Sequence, residues 1–147
     1  MATTTFSGPI KAGTIREGAS ANTGFTLMAQ SANIVFGADG TTTTVATVPA
    51  NSQIFQISVD VTTPFDAGTT NTVDLGDGTT ANKYADALDV SSAARVLATS
   101  DVSQIPNLID IGTSDVTVVA TYNQTGTAAA AGAATVTVLY LQNNNLS

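Results

Sequence analysis

Apolar residues recur at every second position along much of this chain. In "SQIFQISVDVTT", residues 52–63, Phe55, Ile57, Val59 and Val61 fall on one face, while Gln56, Ser58, Asp60 and Thr62 fall on the other. A period of two held over that length predicts a half-buried β-strand. "DVTVVATYN", residues 115–123, repeats the pattern, with Val116, Val118, Ala120 and Tyr122 inward and Thr117, Thr121 and Asn123 outward. Further strands are expected at 24–30, 33–36, 42–48, 71–76, 94–98, 108–112 and 134–142, separated by the turn sequences "GADG", "VPANS", "TPFDAG", "GDGTT" and "QIPN". One stretch, "ANKYADALDVSSA", has a weak helical pattern in which Tyr84, Ala87 and Leu88 share a face for a turn or two. Short strands at this spacing predict an all-β fold, a β-sandwich or jelly roll.

Composition agrees with that reading. Threonine accounts for 26 of the 147 residues, and it fits a pleated, half-buried surface as valine and isoleucine do. Only 10% of residues are charged and 43% are apolar, too hydrophobic a balance for intrinsic disorder. No apolar run reaches the roughly 18 residues of a membrane helix, and the first residues lack the pattern of a signal peptide. A soluble single domain without membrane association is expected.

Two segments stand apart. Residues 1–20 hold three isolated large apolar side chains, Phe6, Ile10 and Ile15, amid Gly, Pro and Thr, together with Lys11 and Arg16. Such a segment buries little against itself. It reads either as a frayed terminus or as an extended N-terminal arm that orders on a neighbouring subunit, with those three residues as anchors, leaving residues 21–147 as the sandwich. The second segment is the run Ala128–Ala131, bracketed by Gly126 and Gly132. A helix that short does not stand alone, even in alanine. The flanking strands, 115–123 and 134–142, are expected to pair as an antiparallel hairpin with the alanine run as its long loop. Small, apolar and uncharged, the loop Thr125, Gly126, Ala128, Ala129, Ala130, Ala131 and Gly132 suits close contact with another protein surface; a loose tip is the plainer alternative.

Charge and missing residue types narrow the chemistry. Four basic against 11 acidic residues give a net charge of −7, and Lys11, Arg16, Lys83 and Arg95 are scattered singly, so no stripe exists to neutralise nucleic-acid phosphates. With no Cys and no His, there is no thiolate, imidazole ligand or triad base of the usual kind. Acids gather at Asp66, Asp74, Asp77, Asp86 and Asp89. Asp74 and Asp77 in "DLGDGT" could offer oxygens to Ca²⁺, but the spacing lacks the EF-hand pattern, and Asp-Gly is an ordinary turn dipeptide. Asp89 could equally act as a local cap. Paired carboxylates could cleave a glycoside, yet the chain has no Trp to stack on a sugar. The expectation is no cofactor, no metal and no enzymatic activity.

The order of these elements resembles small structural proteins of tailed bacteriophages, in particular the head decoration, or capsid cement, family. The resemblance rests on a strand, then "NTVDLG", then "KYADALDVSSAARV", then a C-terminal hairpin with a Gly/Ala-rich loop, over roughly residues 48–141. It implies a β-sandwich, commonly a homotrimer, that binds the major capsid protein on the outer capsid surface between capsomers and strengthens the head. Phage tail and fibre proteins share parts of the pattern. A tail, fibre or host-surface binding module therefore stays open, as does a hydrolase or metal-dependent module.

Overall fold

The computed structural model describes residues 25–98 and 111–143. They form eight strands: β1 (Phe25–Val35), β2 (Thr41–Val48), β3 (Gln53–Thr63), β4 (Thr70–Gly76), β5 (Ala85–Asp89), β6 (Arg95–Leu97), β7 (Val116–Thr125) and β8 (Ala133–Asn143). One sheet runs β1-β8-β3-β6 and the other β2-β7-β4-β5. Every pairing is antiparallel. Successive strands cross from one sheet to the other at each step except from β4 to β5. This interleaving of eight strands is the jelly roll. No α-helix occurs among the described residues.

Alternation along the strands builds the core. On β8, Ala134, Val136, Val138 and Tyr140 point inward and are buried, while the residues between them are half-buried. They meet Ile54, Ile57, Val59 and Val61 of β3 and, from the other sheet, Val48, Val73, Leu75, Val118, Ala120 and Tyr122. Each fully buried Val, Leu or Ile contributes about 1.5–3 kcal/mol relative to exposure. At the seam between the sheets, Gln30 of β1 treats the edge strand β2 as a peptide would. Its Nε2 donates to the Thr47 carbonyl (2.8 Å), its Oε1 accepts the Thr47 N–H (3.1 Å), and Nε2 also reaches the Tyr140 hydroxyl (2.9 Å).

Four details differ from the sequence reading. Residues 24–30 and 33–36 are not two strands: Phe25–Val35 runs without a break against β8. The pattern at 81–93 makes a strand, β5, because Ala85 and Leu88 find a place beside β4 and bury there. A bulge between the Val73 and Leu75 pairings, opposite Asp74, breaks the period of two. In that bulge Ala87 takes a left-handed φ of 51°, with its N–H held by Asp74 Oδ1 at 2.7 Å. Phe55 does not share a face with Ile57: a bulge between Ile54 and Gln56 turns Ile54 inward and leaves Phe55 62% exposed. Finally, β7 and β8 do not pair. They lie in different sheets, and the loop between them crosses the sandwich.

Candidate interaction surface

The alanine loop is tied down residue by residue. It meets the turns 36–40 and 64–69 at one end of the sandwich. The Asp66 carboxylate accepts the N–H groups of Ala130 (2.8 Å) and Ala131 (2.9 Å) through one oxygen. Those donors, Ala131 first, hold its pKa below the ordinary value. Gly68 N–H donates to the Thr127 carbonyl and Thr69 N–H to that of Thr125, both at 2.9 Å. Gln124 accepts from Ala129 N–H (2.9 Å) and donates to the Gly37 carbonyl (3.0 Å). Beneath the loop, Phe65 packs against Tyr122 with ring centroids 4.7 Å apart, and the Tyr122 hydroxyl donates to buried Asn71 at 2.7 Å. Asn71 also closes the turn, accepting from Ala67 N–H and donating to the Ala67 carbonyl.

Of the loop residues singled out from the sequence, Thr125, Gly126, Ala128 and Ala130 are exposed, Ala129 and Ala131 are half-buried, and Gly132 is buried. Gly132 therefore faces its own molecule: a Cβ there would stand 2.4 Å from the Phe65 ring. Two neighbours were missed. Val35 and Phe36 leave β1 beside the loop, 60% and 43% exposed, and Phe36 N–H donates to the Gly132 carbonyl (3.0 Å). The sequence marked 33–36 only as a strand, and the register, Val35 opposite Ala133, brings both residues to the end of the loop. Phe6, Ile10 and Ile15 lie outside the described residues.

The outer face of the β1-β8-β3-β6 sheet is divided. At the end where β1 begins, Leu27 stands opposite Leu141, Ala29 opposite Leu139, and the bulged Phe55 lies beside them on β3. Leu27 is 57% exposed. Further along, the same face turns polar with Ser31, Thr137, Ser58, Asn33, Thr135 and the Asp60–Arg95 ion pair. The outer face of the other sheet is rich in threonine. Thr42, Thr44, Val119 and Thr121, with Gly78, Thr79 and Ala81 from the β4–β5 turn, line a hollow of about 310 Å³.

The acidic residues are occupied with the chain itself. Asp77 accepts the N–H groups of Thr79 (2.9 Å) and Thr80 (2.8 Å) on one oxygen and Lys83 Nζ (2.9 Å) on the other. The Thr80 bond and then Lys83 lower its pKa to about 2. Asp74 accepts from Ala87 N–H and from Asn123 Nδ2, each at 2.7 Å. Asp89 accepts from Ser91 N–H (2.8 Å), as a local cap does. These carboxylates fix turns and bulges, and no cluster of three metal-ligating side chains occurs among the described residues.

Neither a family model nor a curated protein sequence matches the chain. Two solved structures do. A chain of the cyanophage Pam1 capsid asymmetric unit superposes with a TM-score of 0.62 at 17% identity, over 90% of this chain and 99% of that one. A chain of the acid-stable capsid of Helicobacter pylori bacteriophage KHP30 superposes with a TM-score of 0.52 at 20% identity, over 79% and 87%. At such identities the likeness is one of fold, and it covers 79% to 90% of this chain.

Proposed function

We propose that this chain is a structural protein of a phage virion: a non-enzymatic decoration, or cement, protein that binds the outer capsid surface between capsomers and stabilises the head. The observation that carries this reading is the eight-stranded jelly roll, shared over 99% of the length of a chain from a phage capsid. Three further features support it. The acids make structural bonds, the loop end presents small methyl groups on a pinned backbone, and Val35 and Phe36 add exposed apolar area beside them. A preformed surface of this kind binds with little ordering cost. Repetition at symmetry-related positions multiplies modest contacts into a large gain for the shell.

Purified protein mixed with undecorated, expanded capsids should co-sediment with them; failure to bind any capsid form overturns the proposal. Phe36→Asp, a change at an exposed position, should weaken that binding about tenfold by removing an apolar anchor while leaving the fold intact. The trimer that the resemblance implies is checked by light scattering of the free protein. One observation favours a second reading, a virion module that binds host-surface glycans. The threonine-lined hollow of about 310 Å³ presents hydroxyl groups to a neutral polyhydroxy ligand. Binding to a glycan array, lost in Thr121→Val, together with no binding to capsids, would select that reading.

A further inference from the structure

We infer that the open edge of strand β1 pairs with the same edge of a second copy, antiparallel and about a two-fold axis at Ser31, joining the two β1-β8-β3-β6 sheets into one. The backbone is the first part of the case. Phe36 N–H donates to the Gly132 carbonyl (3.0 Å), which continues the unshifted register of β1 on β8. Bonded and non-bonded pairs alternate along an antiparallel ladder, so the even-numbered residues of β1 direct their N–H and C=O groups at β8. Those of Leu27, Ala29, Ser31, Asn33 and Val35 therefore point the other way, and no strand among the described residues pairs with that edge. All five residues are exposed. A row of outward donors and acceptors is a template for another strand.

The other three sheet edges are blunted. On β5 the bulge holds Ala87 at a left-handed φ of 51°, and Asp86 and Asp89 are exposed beside it. Strand β6 is three residues long and carries Arg95, ion-paired with Asp60. On β2 the Gln30 side chain occupies both the N–H and the carbonyl of Thr47. Strand β1 has none of these protections: its 11 residues run without a bulge, a proline or a charge. An edge left in that state invites a partner strand.

Side chains select the occupant. The described residues hold eight aspartates against Lys83 and Arg95, so two copies repel wherever carboxylates meet, and β1 brings none to the contact. About an axis at Ser31, Leu27 of each copy stands opposite Val35 of the other. These two side chains are 57% and 60% exposed in the single chain. On the inner side of the same strands, Met28, 39% exposed, meets Ile34 of the second copy. The strand is thus complementary to itself, as a two-fold contact requires. An axis at Gln30 would instead set Leu27 against Asn33 and bring together two Gln30 side chains already held by Thr47. This inference stands apart from capsid binding: it takes up Val35 and leaves Phe36 and the alanine loop beyond the paired residues. Being two-fold, the contact is also separate from the three-fold one that a trimer needs.

Cysteine crosslinking provides the test, because the chain has no native cysteine. Across the axis the two Ser31 Cα atoms lie about 5.5 Å apart, within disulfide reach. The two Ala29 positions are displaced along the strands by roughly 13 Å. Under mild oxidation Ser31→Cys should therefore form a covalent dimer of the full chain at least about tenfold faster than Ala29→Cys. Equal rates overturn the inference. So does the absence of a dimer from Ser31→Cys, the result expected if the chain covers this edge itself or keeps it for another protein. Charge pairing gives an independent check. The variants Leu27→Lys, Val35→Lys and Leu27→Asp, Val35→Asp each set like charges opposite one another at exposed positions. Each alone should show a lower average mass than the parent in sedimentation equilibrium at equal concentration, and an equimolar mixture of the two should regain it. A mass that neither variant lowers, or that mixing does not restore, refutes the pairing.

Discussion

Gly132 shows how one missing atom shapes the loop end. Its φ is 150°, and a Cβ would stand 2.4 Å from Phe65, whose ring is buried and stacked on Tyr122. Phe65 cannot retreat, because the Tyr122 hydroxyl beneath it is bound to Asn71, itself tied to the Ala67 backbone. Gly132→Ala should therefore cost about 3 kcal/mol, between the usual overpacking penalty and its upper tail. Urea denaturation of the two proteins measures it; a loss below about 1 kcal/mol would show that the ring moves aside. The sequence marked Gly132 as a bracket of the alanine run and as a candidate for contact with another protein, not as a neighbour of Phe65. Its demanding neighbour, Phe65, is 67 positions away, and no local pattern joins them.

At the scale of elements, the β7–β8 connection was the least legible part of the fold. Both strands alternate cleanly, and sequence neighbours often pair, so a hairpin was the natural expectation. Alternation identifies the face a strand buries but is silent on which sheet it joins, and here a crossing places β7 beside β2 and β4, and β8 beside β1 and β3. Strand β5 was obscured for a related reason: its two-residue bulge at Asp86 and Ala87 shifts the apolar spacing towards that of a helix. The crossing loop keeps its shape through Asp66, which supplies acceptors to two alanine N–H groups that no strand pairs. Asp66→Ala should leave the core sheets intact and speed amide exchange at Ala130 and Ala131 about tenfold or more. Unchanged exchange there would show that the loop is held by packing on Phe65 and not by the carboxylate.

For the whole molecule, the all-β class and most strands were readable from a period of two, whereas the two outer faces were not, because each is assembled from strands far apart in sequence. Leu27, Phe55 and Leu141 become neighbours only through register. Ionisation couples the molecule to pH from both sides. Asp66, Asp77 and Asp89 have folded pKa values below their ordinary ones, so they favour the folded state above the normal carboxylate range. That contribution is lost as pH falls towards the folded values, about 2 for Asp77. Tyr84 acts at the other end. Burial, with a smaller effect of Asp77, raises its pKa to about 12 from the ordinary 10.0, and burial first also raises that of Tyr122. Above the unfolded value the unfolded chain releases the phenol proton and the folded one keeps it, so stability falls as pH rises from 10 towards 12. For Tyr84 the full loss is about 2–3 kcal/mol. Tyr84→Phe keeps the ring in its buried place and removes the ionising group. Urea midpoints at about pH 8 and about pH 11 should therefore converge in this variant relative to the parent, with near-equal stability at the lower pH. An alkaline loss as steep in Tyr84→Phe as in the parent would move the responsibility to Tyr122, whose hydroxyl is bound to Asn71.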